Sequence, residues 1–153
     1  TLETKDAARI LARRRAEEAR NSALVLPDFF TGQPTPQPSA PAVSPAGGQT
    51  LRGVPVCRGR VTGKARVILD PRIDARIEPG EILVAPVTDA GWVPLFAAAA
   101  GLVVDVGGTL SHGATVAREY GLPAVVNAKG ATRRIKTGDT VTLDGSTGVV
   151  TIG

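Results

Sequence analysis

The sequence predicts a mixed α/β domain, and three observations carry that prediction. Between residues 81 and 126, apolar runs of strand length alternate with segments of helical composition, the pattern of successive βαβ units. On both sides of this stretch lie segments rich in Val, Thr and Gly with turn signals, which read as further strands. The opening part of the chain holds a charged Ala/Arg/Glu segment and a Pro-rich one, and neither has the composition of a core.

In chain order, residues 1–26 contain no Pro or Gly and predict a helix that Pro27 ends. Its apolar stripe is thin: Ile10 and Leu11 are the main apolar residues, and Arg13-Arg14-Arg15 reads as a solvated face. Residues 31–49, TGQPTPQPSAPAVSPAGGQ, predict a linker, part polyproline-like and part flexible. The expected organisation is a helical segment at 1–30, a linker at 31–50 and a folded domain at 51–153.

Within that domain, 54–57 and 60–69 have β composition broken by Gly59 and Gly63, and predict a hairpin or bent strands. EILVAP (81–86) is a short buried strand. GWVPLFAAAA (91–100) predicts a helix with Thr88 or Asp89 near its start and Pro94 in the tolerant first turn. Residues 102–106 form another buried strand that runs into Gly107-Gly108. Residues 111–120 predict a helix closed by Gly121 and Pro123, and 124–126 a strand. Residues 140–143 and 148–152, joined by Asp144-Gly145-Ser146-Thr147, form a terminal hairpin. Together these elements predict a β-barrel or sandwich side and two helices against a central sheet.

Composition narrows the function. A single Cys excludes an internal disulfide framework and a multi-Cys zinc site, and a single His excludes a paired-histidine metal site, so no metal site is expected. Cys57, in a β segment beside Arg58, reads as an inert buried thiol. Aromatic residues at 3% argue against a base-stacking platform, and no nucleic-acid partner is expected. The net charge, 18 Lys/Arg against 14 Asp/Glu, is only +4. The longest apolar block, around 95–104, contains Gly101 and falls short of the ~18 residues of a membrane span. No signal peptide is visible, and the expectation is a cytoplasmic location without a membrane partner. The chain contains no Met, so Thr1 is not an unprocessed start and the chain is expected to be a piece of a longer one. No G-x-x-x-x-G-K-[ST] pattern occurs, so no nucleotide site of the P-loop type is expected in it.

The chemistry concentrates in VVDVGGTLSHGATVAREYGLPAVV (103–126). A buried strand enters two glycines, and a Ser-His pair then opens a helix. Gly107 and Gly108 allow a ligand to approach the backbone closely. With Ser111 as N-cap, His112 sits in the first turn, where unbonded amides and the positive end of the helix dipole favour a phosphate. The same end disfavours a cationic imidazole and so keeps a nitrogen lone pair available. Once phosphorylated, the ring carries an anion that the amides stabilise. On the residues alone, a polar histidine near a helix cap is the competing reading. Acyl transfer by Ser111 or Cys57 with His112 is disfavoured, because adjacent Ser-His side chains diverge on a helix and no G-x-S-x-G elbow occurs.

The run GGTLSHGATVAREYGLPAVV resembles the phosphohistidine signature of phosphoenolpyruvate-utilising enzymes, a GG-x-x-[ST]-H-x-A core followed by VAR-E-x-G-[IL]-PAVV. That family includes phosphoenolpyruvate synthase, pyruvate phosphate dikinase, the first enzyme of the sugar phosphotransferase system and rifampicin phosphotransferase. LVAPVTDAGWVPLF resembles the strand and helix before the motif. GVPVCRGRVTGKARVIL resembles the opening β segment, with Cys57-Arg58-Gly59 in place of the usual Ser/Ala-Pro-Gly turn. The resemblance covers about 51–153.

It implies a swivelling β/β/α phosphohistidine domain, in which His112 matches the phosphorylated histidine. It further implies an ATP-grasp domain as donor, with ATP and Mg bound there and no cofactor on this domain, and a separate acceptor-substrate domain. The reaction implied is of dikinase type, from ATP to AMP plus phosphate. A linker of 19 residues reaches on the order of 25 Å as a coil, which suits such a swivel. That the chain stops soon after the closing hairpin reflects either an excised domain or a histidine domain at the C-terminus; the preferred arrangement is the latter, in a protein resembling rifampicin phosphotransferase or phosphoenolpyruvate synthase.

Supporting roles follow. Gly107, Gly108, Thr109, Ser111 and Gly113 are candidates for stabilising the phosphoryl group. Thr88 and Asp89, at the same strand end if the strands run parallel, are candidates for orienting His112, although for Asp89 capping the 91–100 helix is the preferred role. Arg118 lies six residues on, about 600° around the helix from His112, and is expected to pair with an acid or a partner domain. Glu119 shares the histidine's face two turns away. A non-catalytic interaction module that keeps the same fold is the alternative function.

Overall fold

The computed structural model describes residues 2–22, 24–25, 37–38, 49–74 and 76–153. The chain divides into two units, Thr1–Val43 and Ser44–Gly153. In the first, α1 (Leu2–Ser22) ends four residues before the position expected from Pro27. Asn21 and Ser22 are weak helix formers, and strand β1 (Leu24–Val25) follows at once, paired antiparallel with β2 (Gln37–Pro38). Ile10 and Leu11 are exposed, and Arg13 pairs with Glu17 one turn on at 3.6 Å. The expected linker lies largely outside the described residues. Of it, Gln37-Pro38 and Gln49 belong to strands.

The second unit is built on one mixed sheet of eight strands. These are β3 (Gln49–Arg52), β4 (Val54–Cys57), β5 (Arg60–Val67), β6 (Ile82–Ala85), β7 (Gly101–Val104), β8 (Ala124–Val126), β9 (Thr140–Asp144) and β10 (Val149–Ile152), in the order β3-β10-β9-β5-β6-β7-β8-β4. Strands β5 to β8 run parallel, and the other pairings are antiparallel. The segments 54–57 and 60–69 therefore do not form a hairpin with each other. Instead, the first half of β5 pairs with β9 and the second half with β6, so one bent strand joins the antiparallel and parallel parts. The first half of β3, Gln49 and Thr50, extends the domain into the expected linker, where these two residues carry no apolar signal.

Strands β3 and β4 occupy opposite ends of this order, yet only Gly53 separates them in the chain. The two ends must meet there, and the sheet closes on itself. Gly53 donates to the Gly148 carbonyl at 2.9 Å, and a Cβ in its place would lie 2.5 Å from Val126 O and 2.7 Å from Val125 Cγ1.

Two cores follow from the closure. On one face, Ile82, Val84, Val103 and Val125 meet Leu51, Val141, Leu143 and Val150, with Ala131 and Ile135 from the α4 region (α4, Ala131–Arg134) packed among them. On the other, Leu83, Leu102, Val104 and Val126 meet Trp92, Leu95 and Phe96 from the α2 region and Val116 and Ala117 of α3 (His112–Tyr120). Strands β6 to β8 are thus buried on both faces, which is why they read as continuous apolar runs, whereas β9 and β10 alternate. The expected 91–100 helix divides into a 3-10 turn (Ala90–Trp92) and α2 (Val93–Ala98), with Pro94 at its amino end where no amide donor is needed. Helix α3 closes with Gly121 at φ +63, and the amides of Gly121 and Leu122 return to the carbonyls of Arg118 and Ala117. Among the described residues, no helix is long and apolar enough to cross a membrane.

Arg66 on β5 and Glu81 before β6 form a two-pronged ion pair, both bonds at 3.0 Å, in a partly buried setting. The Arg66 hydrogen bonds hold the Glu81 carboxyl below the usual carboxylate range, with a further contribution from the Glu78 amide.

Two expectations follow. Gly53→Ala should destabilise the domain by about 1–3 kcal/mol through overpacking, read as a lower urea midpoint with an unchanged slope. Because the folded-state pKa of Glu81 is depressed, its contribution is present above the ordinary carboxylate value of about 4.3 and fades as pH falls through the folded value. Glu81→Gln should therefore cost about 1–2 kcal/mol at pH 7, and the difference from wild type should shrink in urea titrations at pH 3.

Candidate active site

The carboxyl ends of β6, β7 and β8 lie along one edge, and backbone bonds tie the loops that leave them. The amides of Asp105 and Val106, after β7, donate to the carbonyls of Ala85, which ends β6, and Pro86, which follows it, each at 3.0 Å, and the Ala128 amide, after β8, donates to Val104 O at 3.0 Å. Asp105 also accepts from the Thr132 amide at 2.9 Å and from its hydroxyl, which anchors the start of the 105–111 loop to α4. Asn127 turns the chain out of β8 at φ +54, a conformation that Asn tolerates better than most residues.

From this base the loop rises through Gly107, Gly108, Thr109 and Leu110 to Ser111 and His112. Gly107 packs closely, since a Cβ there would lie 3.2 Å from Ser111 Oγ and 3.4 Å from Val126 Cβ, whereas Gly108, Thr109 and Leu110 are exposed. Ser111 is the N-cap in position, with extended backbone at φ −64 and ψ 158, but its side chain makes no capping bond. Its hydroxyl instead donates to Gly108 O at 2.8 Å, alongside its own amide at 3.0 Å, and so closes the turn 108–111. The first turn of α3 is thus left without a side-chain cap. His112 is the first residue of that helix and is exposed.

Gly113 is buried against the neighbouring loop, and a Cβ there would lie 2.2 Å from Thr88 Oγ1. The structure therefore brings Thr88 against the helical turn that begins with His112. Asp89 is turned elsewhere: its carboxylate accepts from the Gly91 amide at 2.8 Å and caps the 3-10 turn. Glu119 is exposed on the far part of α3. Cys57, expected to be buried, is half-buried, and its pairing with Ala124 follows a register shift after Pro55.

Arg118 departs most from expectation. Among the described residues it pairs with no acid; Nη1 donates to the Thr109 carbonyl at 2.8 Å, and Nη2 lies 3.4 Å from Thr115 Oγ1. The 105–111 loop folds down beside the helix and meets the guanidinium there. No sequence signal short of the loop's path would have shown this.

The family description "PEP-utilising enzyme, mobile domain" matches residues 77–148, the stretch from before β6 to the turn between β9 and β10. The chain carries a mobile domain of the PEP-utilising enzymes. An uncharacterized protein of Mycobacterium tuberculosis is 49% identical over 95% of the chain, so that match extends past the mobile domain into the N-terminal unit. A rifampicin phosphotransferase of Streptomyces sviceus is 54% identical over 67% of the chain. The chain spans only 17% and 12% of these two relatives, which therefore hold further domains. Among solved structures, aconitase X of Thermococcus kodakaraensis superimposes with a TM-score of 0.55 at 24% identity, covering 69% of this chain and 98% of that one; the likeness is one of fold.

Gly113→Ala should lose stability despite the better helix propensity of Ala, because the new methyl meets Thr88. Thr88→Ala in the same chain should restore most of the loss, a coupling that a double-mutant cycle of thermal midpoints reads directly.

Proposed function

We propose that the domain at 51–153 is the phosphoryl carrier of a larger phosphotransferase and that His112 is the residue that takes the group. The observation that carries this reading is the placement of the chain's one histidine: exposed, first in a helix without a side-chain cap, and on a loop tied at its base to two neighbouring strands. The membership of the family supports it. In the forward step, an imidazole nitrogen lone pair attacks the phosphorus of an ATP-derived phosphoryl group. The P–O bond to the nucleotide breaks with its electron pair on the departing oxygen, the N–P bond forms, and the ring's other nitrogen releases its proton to solvent.

The amides of His112, Gly113 and Ala114, with the positive end of α3, stabilise the phosphoryl oxygens, and Gly107 and Gly108 leave room for them. Thr109 and Ser111 hold the loop, and Thr88 orients the first turn of α3 from the adjacent strand end. Transfer onward reverses these bonds at an acceptor oxygen.

Donor and acceptor belong to other domains of the parent: an ATP-grasp domain with ATP and Mg, where transfer frees AMP and water cleaves the outer phosphoanhydride to release phosphate, and a domain for pyruvate or a small-molecule hydroxyl. The rifampicin phosphotransferase relative favours the hydroxyl acceptor. Use of ATP suits a cytoplasmic protein, and residues 31–50 suit a tether for a domain that moves between two sites.

The test incubates the chain with its parent's ATP-binding domain and ATP labelled at the transferable phosphates. Wild type should acquire an acid-labile, alkali-stable label, and His112→Ala should acquire none. No label on wild type, or an equal label on His112→Ala, overturns the reading.

A further inference from the structure

Arg118 lies in the last turn of α3, where a cation ordinarily serves the negative end of the helix dipole. Its side chain instead runs back toward the amino end, the direction in which helical Cβ atoms lean, and its guanidinium meets the Thr109 carbonyl at 2.8 Å. That carbonyl belongs to the most exposed part of the loop. Gly108 has open space where a Cβ would be, and Leu110 is 89% exposed. The turn bonds from Ser111 hold Gly108 only locally. Two adjacent glycines lose more conformational entropy on ordering than any other pair, so a loop containing Gly107 and Gly108 needs an outside restraint to keep one geometry. A guanidinium-to-carbonyl bond is charge-assisted and supplies that restraint. Thr115 Oγ1, 3.4 Å from Nη2, lies between Arg118 and the loop and keeps the guanidinium on that side of the helix.

We infer that Arg118 is a positioning residue for phosphoryl chemistry at His112, fixing the 107–111 loop so that the first-turn amides of α3 keep their aim at the phosphoryl oxygens. This rests on the reading of His112 as the carrier, and it adds to it a residue of the last turn of α3 that acts through the loop. In the phosphorylated state the same fixed cation stands beside the loop that surrounds a dianion, and so favours retention of the group.

The experiment uses the 153-residue chain phosphorylated with phosphoramidate, which needs no donor protein. The His112 imidazole displaces ammonia at phosphorus, one P–N bond breaking as another forms. Wild type, Arg118→Lys and Arg118→Gln are compared by the lifetime of the phosphohistidine at neutral pH, followed by phosphorus NMR, and by hydrogen exchange at the Leu110, Ser111 and His112 amides.

Arg118→Gln should shorten the lifetime about tenfold and speed exchange at those amides by a similar factor, the size expected for one charge-assisted bond. Arg118→Lys keeps a charge but not the fork, and should lie between, about two- to fourfold faster than wild type. Exchange in β6 to β8 should not change. Equal lifetimes and loop exchange in Arg118→Gln and wild type overturn the inference and leave the carrier reading intact. If Arg118→Gln does not fold, an Arg118→Lys chain with wild-type lifetime and exchange overturns it. Absence of label from the ATP-loaded donor overturns the carrier reading instead, and the two failures are thereby distinguished.

Discussion

A strand that must serve both ends of one sheet can do so only where its backbone touches the backbones of its neighbours. Residues 49–57 are under this constraint. Their first half pairs with β10 and their second with β8, and Gly53 sits at the junction, 2.9 Å from the Gly148 carbonyl and too close to Val126 for any side chain. Joining the two end strands at Gly53 creates an inside, filled by one apolar cluster, and an outside, covered by α2 and α3. Every other feature of the domain is referred to this arrangement. Helices α2 and α3 cover the outer face, and the loops feeding them leave from the same strand ends because β6 and β7 run parallel.

Those strand ends make the site. Backbone bonds between the loops after β6, β7 and β8 give the 105–111 loop a base that cannot move independently of the sheet, while its upper part stands clear in solvent. A tied base with an exposed tip is what the proposed carrier role of His112 asks for. The hydroxyl of Ser111, by bonding backward to Gly108 rather than forward into the helix, serves the loop's shape and leaves the helix end open to an anion. Arg118 completes the arrangement from below, so that two carbonyls in succession, those of Gly108 and Thr109, are each held by a side chain of α3 or its cap.

Much of this was legible in the sequence, for identifiable reasons. The parallel strands were found because burial on both faces makes them uniformly apolar. Helix α3 was found because Ser111 and Gly121 mark its ends, and the terminal hairpin because its strands alternate and its turn is rich in Asp, Gly, Ser and Thr. The loop carrying Gly107, Gly108, Ser111 and His112 was legible because those residues are contiguous. What escaped shares one property: its logic is nonlocal. The polar start of β3 is a strand only because β10 lies beside it. The β4 and β5 segments adjoin in sequence but pair with strands far along the chain, and α4 is four residues long, stabilised by Ala131 in the core and by the bonds of Thr132 to Asp105.

The sequence by itself determined the class of fold, the position of the histidine at a helix start, and the resemblance that places the chain among the PEP-utilising enzymes, since all three reside in local pattern and contiguous residues. Only the tertiary structure decided that the sheet closes at Gly53, that Thr88 lies against Gly113 while Asp89 turns away to Gly91, and that Arg118 reaches the Thr109 carbonyl. The physical reason is the same in each case. A backbone contact at van der Waals distance or a hydrogen bond near 2.8 Å depends on where two remote segments are brought by the packing of a shared core, and periodicity along one segment carries no information about the path of the other.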